Sequence, residues 1–143
     1  MLVKQISVFL ENKSGRIYEV SKTLGDNGIS ISALSIADTT DFGIMRLIVS
    51  RPQDALKVLK EQGFTVSSTE VIAAEVADSP GGLSHALAAL DEAKISIEYL
   101  YAFAAKSKSG ALVLFRVEDP HAAVGALEAA GIKVLPGDEV YAL

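Results

Sequence analysis

The sequence predicts an α+β fold built from two copies of one βαββαβ unit, and three observations predict it. The chain repeats itself, its hydrophobic periodicity switches in the same order in each half, and glycine or proline marks matching boundaries. Asn12-Lys13-Ser14-Gly15-Arg16-Ile17 recurs as Asp78-Ser79-Pro80-Gly81-Gly82-Leu83, 66 residues on. At the same offset Ile29-Ser30-Ile31 matches Ile95-Ser96-Ile97, and Leu34 matches Leu100. Gly43 matches Gly110 at 67, and Pro52, Ala55, Leu59, Gly63 and Val66 match Pro120, Ala123, Leu127, Gly131 and Val134 at 68. The drift needs only small insertions at turns, where length changes are tolerated. The modules fall at residues 1–69 and 70–143, joined at Ser67-Ser68-Thr69-Glu70 without a Gly/Ser/Pro-rich linker.

Residues 4–10 are rich in β-branched and aromatic side chains and stop at a polar turn, which reads as a strand. A helix follows over residues 15–26, with Ile17, Val20 and Leu24 on one stripe, and Asn27-Gly28 ends it. Residues 29–37 and 44–50 are two strands joined by a polar hairpin turn over residues 38–43. Pro52 opens the second helix, whose stripe is Ala55, Leu56 and Leu59, and a strand begins at Phe64 after Gly63. The second half repeats the order. A strand covers residues 71–76, a helix 81–92, and two strands 95–104 and 111–117. Asp119 caps a helix opened by Pro120, and a last strand starts at Ile132.

Two βαβ crossovers joined by a hairpin give a four-stranded antiparallel sheet with both helices on one face, the ferredoxin-like arrangement. Right-handed crossovers set the strand order 4-1-3-2. The second strand of each module is then an edge, and an exposed edge recruits another strand. Pairing residues 29–37 with 95–104 would join the sheets side by side into one eight-stranded sheet with helices on one face.

Composition narrows the function. The net charge is −5, with 13 basic and 18 acidic residues and no basic cluster, so the concentrated positive charge of a nucleic-acid binder is missing. There is no cysteine, which removes disulfides, thiolate nucleophiles and cysteine metal sites. No stretch reaches the length of a membrane span, and the opening residues lack a signal-peptide pattern. Cytoplasmic residence without a membrane partner is expected.

Chemistry is expected at the turn after the first strand of each module. Glycine there lets backbone approach a ligand, and the first amides of the helix can hold a carboxylate or phosphate. Asn12 or Asp78 could accept from an ammonium group, Asp78 with added charge. The competing reading is purely structural, with Ser14 or Ser79 as an ordinary helix cap. His85 and His121 sit in different helices with no ligand at metal spacing, so no metal or cofactor is expected. Ser79, Ser84 and Ser109 lack a nucleophile elbow, and Ser107-Lys108-Ser109-Gly110 lacks the phosphate-loop pattern and reads as a hairpin turn. Tyr99, Tyr101 and Phe103 alternate along a strand, so their rings share one face.

With the duplicated unit and its strand–turn–Gly–helix signal in view, the chain resembles the ACT domain family, specifically small free-standing proteins made of two ACT domains. Asp78-Ser79-Pro80-Gly81-Gly82-Leu83 matches the family's Asn/Asp-x-Pro-Gly-x-Leu/Ile turn, whereas Ser14 replaces the usual proline in the first copy. The resemblance implies a non-catalytic regulatory sensor of a small molecule, an amino acid above all, held between two modules. One site would set Asn12, Ser14, Gly15, Arg16 and Ile17 against Tyr99, Leu100 and Tyr101. Its mate would set Asp78, Pro80, Gly81, Gly82 and Leu83 against Ala33, Leu34 and Ser35. A homo-oligomer or a regulated partner protein is compatible with such a role. The alternatives are a structural or protein-interaction module using the open sheet face, and acyl-phosphate hydrolysis with Arg16 beside Asn12, which the residue order and the repeat fit badly.

Overall fold

The computed structural model describes residues 2–11, 15–38, 42–104 and 110–143. The hairpin turns expected around residues 39–41 and 107–109 lie outside them. The chain divides into two compact units. The first comprises Lys4–Thr69 with Tyr141–Leu143, and the second Met1–Val3 with Glu70–Val140.

In the first unit β1 (Val3–Glu11) leads to α1 (Arg16–Asp26), β2 (Ile31–Asp38), β3 (Phe42–Val49), α2 (Pro52–Glu61) and β4 (Thr65–Val76). Antiparallel β3 lies between β1 and β2, and β4 flanks β1, which is the expected order 4-1-3-2. The second unit continues from β4 through α3 (Gly82–Glu92), β5 (Ile97–Ala102), β6 (Ala111–Val117), α4 (Pro120–Ala129) and β7 (Lys133–Leu135). There β4 lies between β6 and β7 and β5 pairs β6, giving the same order. Each unit is ferredoxin-like.

The two cores coincide position by position. In the first, Ile6, Val8 and Leu10 of β1 and Met45, Leu47 and Val49 of β3 pack beneath Val20, Leu24, Ala55 and Leu59. In the second, Ile72, Ala74, Val76, Val113, Phe115 and Val117 pack beneath Ala86, Leu90, Ala123 and Leu127. Phe115 replaces Leu47 while Ala74, Ala86 and Val113 replace Val8, Val20 and Met45, so added volume is offset by smaller neighbours. The opposite face is also partly closed, with Gln5, Ala33 and Ile48 buried in the first unit and Ala73, Leu112 and Leu114 in the second.

Helix boundaries follow the local chemistry. The Asp119 carboxylate accepts from the Ala122 amide at 3.2 Å and caps α4, as its sequence position predicts. Asn27 closes α1, and Gly28 follows with a left-handed φ of 68°. Arg51 donates to the Asn27 carbonyl, placing a cation at the C-terminus of α1.

Three expectations are corrected. Separate strands are predicted from Phe64 and over residues 71–76, but Thr65–Val76 is one twelve-residue strand, so among the described residues the count is seven and not eight. Residues 67–70 contain no glycine or proline to break it. Among the described residues the edge strands β2 and β5 pair with β3 and β6, and not with one another as expected. Each carries a register shift, between Ile31 and Ala33 and between Ile97 and Tyr99, and such bulges interrupt an edge. Finally, a five-residue helix, α5 (Gly137–Tyr141), follows β7 and escaped the periodicity reading. Within the first unit the Tyr141 hydroxyl accepts from the Lys4 amide at 2.8 Å. No helix among the described residues is long and apolar enough to cross a membrane.

Candidate functional site

The second turn is built by Ser79-Pro80-Gly81-Gly82. Proline fixes φ at the first corner, and Gly81 takes φ 88° and ψ −7° at the second, the geometry of a type II turn. The Gly82 amide closes it on the Ser79 carbonyl at 3.0 Å. Gly81 is then the N-cap of α3, with no side-chain cap hydrogen bond, so the structural expectation of Ser79 as the cap is not met. Pro-Gly turn formation displaces the capping position past Ser79.

The consequence is a set of available donors. The His85 amide closes on the Gly81 carbonyl, but among the described residues the Leu83 and Ser84 amides have no partner. Both residues are exposed, and the space where a Cβ on Gly81 would sit is open. Helix-start amides with the positive end of the helix dipole behind them favour an anion. Asp78, exposed at the head of the turn, already interacts within the protein. Gly82 is buried, because a Cβ there would overlap the Ala77 carbonyl oxygen and lie 2.8 Å from its carbon. The closeness of strand end and helix start was not foreseen, although two successive glycines were the available signal.

The first turn shares the backbone and differs in charge. Gly15 is the N-cap of α1 with φ 84° and ψ −1°, again without a side-chain cap and with open space around a Cβ. Asn12 and Ser14 lie outside the described residues. Arg16, the counterpart of Gly82, folds onto its own unit. Its guanidinium meets Glu19 at 3.0 Å and Glu11 at 3.7 Å and lies 5.1 Å from the Phe64 ring centre. Ile17 and Leu83, at matching positions beside the turns, are both exposed.

The second-strand residues divide between faces. Leu34 is opposite Leu47 and Leu100 opposite Phe115, both core positions, so these leucines point to the helix face and remain 48% and 38% exposed. Ala33 and Ser35 face the other way with Ile48 and Arg46. Tyr99 and Tyr101 likewise share the opposite face with Arg116 and Leu114, their rings stacked at 6.5 Å. The side chains of each strand therefore serve two different surfaces.

Among the described residues no three His, Cys, Asp or Glu side chains converge on a metal position. The His85 Nε2 pairs with the Ala130 carbonyl at 3.1 Å, a structural contact.

Comparisons with known proteins agree with this architecture. The chain matches the ACT domain pair family over residues 1–135. It is similar to the crystal structure of protein BT0572 from Bacteroides thetaiotaomicron, at 39% identity and a TM-score of 0.93, covering 100% of this chain and 98% of that one. It is also similar in fold to the regulatory subunit of aspartate kinase from Thermus thermophilus, in its ligand-free form. There the identity is 20% and the TM-score 0.64, over 90% of this chain and 93% of that one. The corresponding subunit from Thermus flavus gives 16% and 0.61, over 90% and 92%. No curated protein matches at comparable stringency. The chain belongs to the ACT domain family, as a tandem pair spanning nearly its whole length.

Proposed function

We propose that the protein senses a free amino acid at its glycine turns and passes the signal to a separate protein. The observation that carries this is the uncapped, unobstructed start of α3, where Gly81 leaves the Leu83 and Ser84 amides available. In this reading those amides take the α-carboxylate of the ligand and Asp78 takes its amine. In the first unit Gly15, Arg16 and Ile17 stand at the corresponding turn, with Arg16 held in its carboxylate pairs. Fold likeness to regulatory subunits of a kinase supports a readout through a partner protein.

The test is calorimetry of the intact chain against the proteinogenic amino acids. At least one is expected to bind at submillimolar concentration and to raise the thermal midpoint by mass action. Absence of heat from every one, up to millimolar ligand, overturns the proposal.

A further inference from the structure

We draw no further inference here: the strongest candidate, the groove between α3 and α4 lined by alanines with His85 and Glu92 beside them, is a stripe of small residues, and nothing in the structure shows what covers it.

Discussion

Gly82→Ala is expected to lower stability by about 3 kcal/mol, the upper part of the range for forcing atoms into a packed site. The added methyl would overlap the Ala77 carbonyl oxygen and lie 2.8 Å from its carbon, and both belong to the main chain, which cannot swing aside as a side chain would. Relief requires α3 to withdraw from the end of β4, and that loosens Ala86 and Leu90, both buried in the core beneath the helix. Urea unfolding followed by circular dichroism measures the loss. Gly125→Ala in α4 is the control. A Cβ there meets nothing within 4 Å, and alanine in a helix interior should stabilise by about 0.5–1 kcal/mol. If Gly82→Ala unfolds at the same urea concentration as wild type, the close approach of strand and helix is wrong. The repeat does not excuse the substitution even though Arg16 occupies the matching position in the first unit, because Arg16 has Glu11, Glu19 and Phe64 around it, whereas Gly82 has the Ala77 backbone.

Local chemistry made the fold legible. Ile6 and Ile72, Leu24 and Leu90, Leu59 and Leu127 stand at helical or strand spacing in both halves, and each is buried where the pattern places it. Asn27-Gly28 and Asp119-Pro120 mark helix limits by backbone geometry and capping, which act over a few residues and leave a local trace. What escaped depends on distant partners or on elements too short for a period. The polar run 67–70 looks like a join, yet Thr69 is β-branched and nothing there opposes extension, so pairing to neighbouring strands carries β4 straight through. α5 spans little more than one turn and has no periodicity to read. Ser79 looks like a cap, although Pro80-Gly81 already encodes the turn that moves the cap forward. At the candidate site, alternation alone separates Leu34 from Ala33 and Ser35, and Leu100 from its tyrosine neighbours. Assigning each face, however, requires the register against β3 and β6, which is a non-local fact.

Gly81→Asp is expected to abolish ligand binding at the second turn while leaving the protein folded. The space around a Cβ at Gly81 is open, so the new side chain meets no obstacle, and aspartate is among the residues that tolerate a left-handed φ. The strain costs about 1–2 kcal/mol, and a carboxylate at the start of α3 recovers part of it through the helix dipole. That same carboxylate competes for the Leu83 and Ser84 amides and repels an incoming one. Losing charge-assisted hydrogen bonds of this kind costs about 1.5–3 kcal/mol, so affinity should fall roughly 100-fold once repulsion is added. Calorimetry with the amino acid that binds wild type, paired with a thermal melt, separates the two effects. Gly81→Ala carries the strain without the charge and should keep affinity within about tenfold. Equal loss in both variants would trace binding to the turn's conformation instead of its donors. Undiminished binding by Gly81→Asp would place the ligand elsewhere and leave the uncapped start of α3 without a sensing role.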